Sequence, residues 1–190
     1  MSWPRPCDVT FSRVDSDACM STNDTVIAMA SGACGISLTG DELTDALTKL
    51  CAILARQLVA DAEGSRHDVK VAVTGATSTE AAVAVAREVT RSNLVKTAVA
   101  GNDPNWGRIL AAVGCVREDV APFDPDQVDV SINGIRVCKA GGIGEDRNLV
   151  DMGPREVHID IELHAGHAEA AVWTNDLTHQ YVEENSAYTS

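Results

Sequence analysis

The chain has 190 residues, of which 28 are acidic and 15 basic, so its net charge is −13 with histidine neutral. Such an excess of carboxylates disfavours binding to nucleic acids and to anionic membrane surfaces, because both attract clustered lysine and arginine. The apolar fraction of 45% is sufficient for a packed core, and the aromatic fraction of 4% predicts that this core is built from aliphatic side chains.

The sequence shows neither a membrane-spanning apolar run nor the apolar stretch of a signal peptide, so we expect a cytoplasmic protein. The spacing of the six cysteines differs from that of zinc sites, and no metal is expected. In a reducing compartment we expect these residues to be free thiols that serve as small core side chains. They are Cys7, Cys19, Cys34, Cys51, Cys115 and Cys138.

Two helices are predicted in the first third of the chain. Residues 21–25 form a polar cluster, and the apolar residues after it, closed by Gly32, are typical of a short, capped and buried helix. Residues 39–42 have the pattern of a capping box, which predicts a longer helix that ends near Gly64. Its apolar positions recur with helical spacing and predict the buried face of this helix: Leu43, Ala46, Leu47, Leu50, Leu54 and Leu58.

The middle of the chain alternates between strand and helix. Apolar and polar residues alternate over residues 68–74, which predicts a strand. Residues 77–80 form a second capping-box pattern and start an alanine-rich helix that we expect to end near residues 91–93. After the break at Pro104, Asn105 is positioned to cap a third helix over residues 106–113.

The last third of the chain is rich in predicted strands. Asn133-Gly134 between alternating segments indicates a two-residue β-hairpin. The glycines of residues 141–144 lack the spacing of a nucleotide-binding loop, and a hairpin loop is expected there. Strands are predicted over residues 157–163 and 168–173. Together these elements predict an α/β layered domain of the α+β type, with helices packed on a mostly antiparallel sheet.

Few side chains point to chemistry by spacing alone. Arg108, in the first turn of a helix, could bind a substrate carboxylate, but a salt bridge is the interpretation we favour. Glu63, beside the helix end at Gly64, has no decisive signal of its own. Alternate residues of one strand could supply metal ligands, but their ends lie about 20 Å apart, so a solvated face is expected. These residues are His158, Asp160, Glu162 and His164.

Several segments of the chain together resemble one family. They are similar to the β chain of ornithine acetyltransferase, the bifunctional protein of arginine biosynthesis. The resemblance covers residues 9–190, and residues 1–8 are interpreted as an extension outside the family domain. The segments that carry it are residues 17–25 (DACMSTNDT), 60–64 (ADAEG), 93–97 (NLVKT), 101–108 (GNDPNWGR) and 182–190 (VEENSAYTS).

The resemblance implies an acetyl transfer from N-acetylornithine to glutamate, and the fold of that family. Some members also accept acetyl-CoA, as a substrate rather than as a bound cofactor. In this family a precursor cleaves itself before a threonine, and the hydroxyl of that threonine becomes the nucleophile, activated by its own free amine. The α chain of the same precursor is the implied partner, in a heterotetramer. Glu63, Asn185 and Ser190 match substrate-binding positions.

One departure from the family pattern affects the expected activity. The sequence lacks the Ala-Thr-Met-Leu-like segment that carries the nucleophile. We therefore expect no catalytic residue in this chain, part of a substrate pocket, and no transfer by the chain alone. Two alternatives stay open: a non-catalytic binding or assembly subunit or inactive fragment, and an N-terminal-nucleophile amidohydrolase of related fold.

Overall fold

The fold is known from a computed structural model, which describes residues 6–187. Short 3₁₀ turns lie at Pro6–Val9, Phe11–Arg13, Pro125–Gln127 and Arg147–Leu149. The helices are α1 (Gly40–Ala60), α2 (Thr79–Arg91), α3 (Asn93–Ala100), α4 (Trp106–Val113) and α5 (His179–Ala187). The strands are β1 (Asp68–Ala76), β2 (Asp129–Ile132), β3 (Ile135–Lys139), β4 (Gly142–Ile143), β5 (Glu156–Glu162) and β6 (Ala168–Asn175).

The six strands form one sheet in the order β4-β3-β2-β5-β1-β6. Only the β1–β5 pair is parallel within the described residues, and the remaining neighbours are antiparallel. The predicted class, helices on a mostly antiparallel sheet, is therefore confirmed. The predicted hairpin joins β2 to β3, where Asn133 (φ +47°) and Gly134 (φ +84°) adopt the left-handed conformation of a two-residue turn.

The core lies between one face of the sheet and helices α2 to α4. Alternate residues of β1 and β5 point into it, among them Val71, Val73 and Ile159. Helix α2 contributes mainly small side chains, such as Ala82 and Ala86, which let its backbone approach the strands closely. The aliphatic core predicted from the low aromatic content is the one observed.

Helix α1 packs on the opposite face of the sheet, beside β6. The guanidinium of Arg56 lies 3.7 Å from the centroid of the Trp173 ring and forms an ion pair of 2.5 Å with Glu156. Further along this face, His158 also bonds to Glu156, whereas His164 bonds to Asp129. Of the four candidate ligands, Glu162 and His164 also contact each other, because the Glu162 carboxylate accepts the His164 N–H. Within residues 6–187 no cluster that could hold a metal ion is found.

The predicted helix over residues 21–32 is wrong. This part of the chain is irregular, and its apolar side chains face outward, with Met29 93% exposed and Ile27 72% exposed. The Ser21 hydroxyl accepts hydrogen bonds from the N–H groups of Asn23 and Asp24, as an N-cap residue does, but no helix follows it. No described part of the chain covers these residues, and a short helix without tertiary packing is marginal in water.

The predicted buried face of α1 is also wrong. The helix begins as predicted, because Thr39 and Glu42 form the capping box, but it is the face with small side chains that packs against the rest of the chain. That face carries Cys51, Ala55 and Val59. The leucine face stays exposed. The prediction failed because both faces of α1 contain apolar residues, and the periodicity alone does not tell which face is covered.

Smaller differences concern element ends. Helix α1 ends at Ala60, before the predicted limit near Gly64, and α2 is capped by Ser78 rather than Thr77, because the Ser78 hydroxyl accepts the Ala81 N–H. Helix α3 was not predicted, although Ser92 caps it through the Val95 N–H. The glycine-rich loop contains the short strand β4 rather than a loop alone.

The cysteines are free thiols, as predicted, but only two of them are buried core residues, Cys51 and Cys138. Cys19, Cys34 and Cys115 are exposed, which corrects the expectation of a core role for them. None of the helices within residues 6–187 is both long and apolar enough to cross a bilayer.

Candidate functional site

A cleft of about 550 Å³ opens where the end of α1, the α2–α3 junction, the loop before residue 19 and α5 meet beside the end of β6. We call it the Glu63 cleft. The structure places Glu63 and Asn185 together in its wall, where the Asn185 side-chain amide donates a hydrogen bond of 2.9 Å to the Glu63 carboxylate. Ser190, the third predicted site residue, lies outside the described residues. The substrate-binding role of all three stays a prediction.

Glycine at position 64 allows α5 to lie against the turn that carries Glu63. Gly64 has a φ of +62°, a conformation that L side chains rarely adopt. Its carbonyl accepts a hydrogen bond of 2.6 Å from the Thr178 hydroxyl, at the start of α5. A Cβ atom at Gly64 would lie 2.3 Å from the backbone nitrogen of Tyr181, so the close approach of α5 requires glycine.

A fully buried carboxylate fixes the floor of the Glu63 cleft. Asp176 accepts hydrogen bonds from the backbone N–H groups of Arg66 (2.9 Å) and His67 (3.0 Å). Its second oxygen lies 2.9 Å from Nδ1 of His67, whose side chain is also buried. The neighbouring Asn175 donates to the Val59 carbonyl at 2.6 Å. These bonds join β6 to the α1–β1 connection and hold both sides of the cleft together.

The loop at residues 15–18 forms another wall of the cleft. Asp15 accepts a bond of 2.7 Å from Nε of Arg91, and its N–H donates to the Trp173 carbonyl. Ala18 follows in the left-handed conformation, with a φ of +66°, and its N–H bonds to the Asp15 carboxylate. A non-glycine residue in this conformation at a cleft is strained.

Replacing Ala18 with glycine is expected to stabilise the chain by about 1 kcal/mol, because glycine adopts a positive φ without the steric cost that Cβ imposes. The free energy of unfolding in urea measures this change. Ala82→Gly, near the start of α2, is the control and should destabilise the chain, since glycine is unfavourable inside a helix. A destabilised Ala18→Gly variant would contradict the strain at this position.

Lys96 is a buried cation in the wall of the Glu63 cleft. Only 7% of the residue is exposed, and its ammonium donates to the Ser16 carbonyl and, at 3.3 Å, to the Thr174 hydroxyl. Burial lowers the pKa of Lys96 below the usual lysine value, whereas the nearby carboxylates of Asp15, Asp17 and Asp176 act in the opposite direction.

Sequence reasoning missed both Lys96 and Asp176 as cleft residues. Lys96 stands among apolar residues of α3, and that context was the available signal for a buried cation.

Arg108, the residue for which the sequence suggested a substrate carboxylate or a salt bridge, donates to the Leu94 carbonyl at 2.8 Å and to the Thr97 hydroxyl. In the part of the chain that is described, no carboxylate forms an ion pair with Arg108, so its contacts join α4 to α3 instead of forming the expected salt bridge.

The Glu63 cleft combines groups of both charges. Asp17 and Glu63 supply carboxylates, while Arg91 and Lys96 supply cations. Oppositely charged groups around one cavity suit a ligand that carries both an ammonium group and a carboxylate. An amino acid or its acyl derivative is such a ligand.

Comparison with known proteins gives consistent matches over nearly the whole chain. The profile described as "ArgJ family" matches residues 3–190. The arginine biosynthesis bifunctional protein ArgJ of Bifidobacterium longum is 55% identical over 182 residues, which are 95% of this chain and 46% of that protein. The protein of the same name from Mycobacterium bovis is 45% identical over 188 residues, which are 98% of this chain and 45% of that protein.

Among solved structures, the chain resembles the crystal structure of arginine biosynthesis bifunctional protein ArgJ from Bacillus halodurans, with a TM-score of 0.88 and 33% sequence identity. That match covers 96% of this chain and 89% of the crystallised chain. The chain thus spans about half the length of the curated relatives it matches, and most of one chain of a solved structure.

Proposed function

The chain belongs to the ArgJ family, and on that premise we propose that it forms part of an ornithine acetyltransferase, in which the Glu63 cleft is one side of the substrate pocket. The reaction is the transfer of an acetyl group from N-acetylornithine to glutamate. The observation that carries the proposal is the contact between Glu63 and Asn185, because two residues 122 positions apart meet at one polar cleft.

In the proposed reaction a threonine hydroxyl attacks the acetyl carbonyl, the amide C–N bond breaks, and ornithine leaves with the hydroxyl proton. The amine of glutamate then attacks the ester carbonyl, the ester C–O bond breaks, and the threonine oxygen regains its proton from that amine. We assign the nucleophile and the oxyanion donors to the part of the family's protein outside this chain, since the chain matches only 46% of a relative's length. Glu63 pairs with the ammonium group of the bound substrate, and the chain alone is inactive.

Calorimetric titration with N-acetylornithine tests the role of Glu63. Glu63→Gln is expected to weaken binding about 10-fold, because the amide can still accept the Asn185 hydrogen bond but lacks the charge that pairs with an ammonium group. Glu118→Gln, at an exposed position outside the cleft, is the control and should bind as the wild type does. Equal affinity of the two variants would contradict the assignment.

The proposed partner is the α chain of the same family, and the exposed leucine face of α1 supports an interface. Leu50, Leu54 and Leu58 are 52%, 42% and 62% exposed, and their spacing aligns them along the helix. The irregular segment before α1 adds exposed Ile27 and Met29. An extended apolar surface of this kind indicates a protein interface, and roughly half of the family's protein remains to cover it. A heterotetramer, a cytoplasmic location and use of acetyl-CoA belong to the same proposal.

The double variant Leu50→Asp/Leu54→Asp is expected to abolish co-purification with the complementary part of the protein. An apolar interface would remove water from the two new carboxylates, and this loss of hydration opposes association. In the chain by itself both side chains are about half exposed, so the free energy of unfolding should fall by only about 1 kcal/mol, mainly through the lower helix propensity of aspartate. Leu149→Asp, at an exposed site on a distant 3₁₀ turn, is the control. Retained co-purification of the double variant would exclude this face.

A further inference from the structure

Lys96 has an unusual environment for a lysine. Its ammonium is buried beside the Glu63 cleft, yet both of its hydrogen-bond acceptors are neutral: the Ser16 carbonyl and the Thr174 hydroxyl. Within residues 6–187 no carboxylate lies at ion-pair distance from its Nζ atom. A buried cation without a counter-ion costs several kcal/mol, so this position favours an anion that comes from outside the chain.

The three carboxylates that act electrostatically on Lys96 have other hydrogen-bond partners. Asp15 pairs with Arg91 at 2.7 Å. Asp176 accepts hydrogen bonds from two backbone N–H groups and lies 2.9 Å from the His67 ring nitrogen. Asp17, at the outer edge of the loop, accepts the Cys19 N–H at 2.9 Å. These carboxylates stabilise the buried ammonium electrostatically from a distance, but none of them accepts a hydrogen bond from it.

Lys96 and Glu63 both line one cleft and carry opposite charges. A ligand with an ammonium group near Glu63 and a carboxylate near Lys96 would place opposite charges side by side at both ends. N-acetylornithine has these two groups, separated by the length of its side chain. The chemistry of the cleft therefore assigns the two ends of the substrate to two different walls.

We propose that Lys96 binds the carboxylate of the acylated amino-acid substrate. This assignment rests on the function proposed above and adds to it the residue that recognises the acid end of the substrate. An ammonium–carboxylate contact shielded from water is a strong charge-assisted hydrogen bond, and it discriminates against a neutral amide at the same position.

Comparing two ligands on two variants tests this assignment. The full chain, in the assembly in which it is purified, is titrated with N-acetylornithine and with its carboxamide. The wild type should prefer the carboxylate ligand about 10-fold, and Lys96→Met should lose that preference while binding the carboxamide as before. Lys96→Arg, which keeps the charge, should retain part of the preference. Lys70→Met is the control, because Lys70 lies on the face of β1 opposite the core residue Val71 and does not line the Glu63 cleft. This variant should retain the full preference for the carboxylate ligand.

The outcomes separate a substrate contact from a structural role. If Lys96→Met weakens the binding of both ligands equally, Lys96 only holds the loop at Ser16 in place, and the assignment is overturned while the proposed function stands. If the wild type binds neither ligand, both are overturned. A melting curve for each variant establishes that it is folded, and Lys96→Gln replaces Lys96→Met if the latter does not fold.

Discussion

Replacing Gly64 with alanine is expected to destabilise the chain by about 3 kcal/mol and to displace α5 from the Glu63 cleft. The added Cβ would lie 2.3 Å from the Tyr181 nitrogen and 2.8 Å from the Gln180 carbonyl carbon, and both are backbone atoms that cannot rotate away. The positive φ of Gly64 adds a further cost for any L side chain. Because α5 carries Asn185, the hydrogen bond to Glu63 would be lost as well.

Urea unfolding of Gly64→Ala, together with binding of N-acetylornithine, measures both effects. Gly35→Ala is a matched control, since Gly35 has a φ of +65° but no atom within 4 Å of the added Cβ. It should cost no more than about 1 kcal/mol and leave binding unchanged. If the two variants lose equal stability, the contact of α5 with Gly64 does not exist in solution.

Replacing Asp176 with alanine is expected to cost about 3 kcal/mol in the free energy of unfolding. The substitution leaves the backbone N–H groups of Arg66 and His67 without their acceptor in a buried place, and it removes the partner of the His67 ring. The floor of the cleft should loosen at the same time, so ligand binding should weaken together with stability.

Chemical denaturation compares Asp176→Ala with Asp160→Ala, a removal of the same side chain at an exposed position of β5. The exposed substitution should change the free energy of unfolding by less than about 0.5 kcal/mol. Asp176→Asn should fall between the two, because its amide oxygen can still accept both backbone bonds while its amide nitrogen replaces the oxygen that faces the His67 ring. Equal losses for Asp176→Ala and Asp160→Ala would contradict the buried network.

Features that depend on nearby residues could be predicted from the sequence. The capping box of Thr39 and Glu42, the alternation along β1 and the turn at Asn133-Gly134 each depend on neighbours a few positions away. The burial of α1 could not be predicted in this way. Its leucine and small-residue faces are both apolar, and the choice between them depends on the 3₁₀ turn at Pro6–Val9 and on β6, both of which are distant in sequence.

The site shows the same limit. Glu63 and Asn185 were identified through resemblance to a family, and the structure then brought them together. Lys96 escaped notice because its burial depends on Ser16 and Thr174, which lie on distant segments. Asp176 escaped notice because its carboxylate accepts hydrogen bonds from backbone N–H groups, and such bonds leave no pattern in the sequence.

Acetyl transfer from N-acetylornithine to glutamate, followed with a labelled acetyl group, tests the central proposal most directly. The transfer is measured for the chain alone, for the chain combined with the complementary part of the family's protein, and for the same combination with Glu63→Gln. We expect no transfer by the chain alone, transfer by the combination, and a marked loss with Glu63→Gln. Transfer by the chain alone at the rate of the combination, or an unchanged rate with Glu63→Gln, would contradict a substrate pocket shared between this chain and its partner.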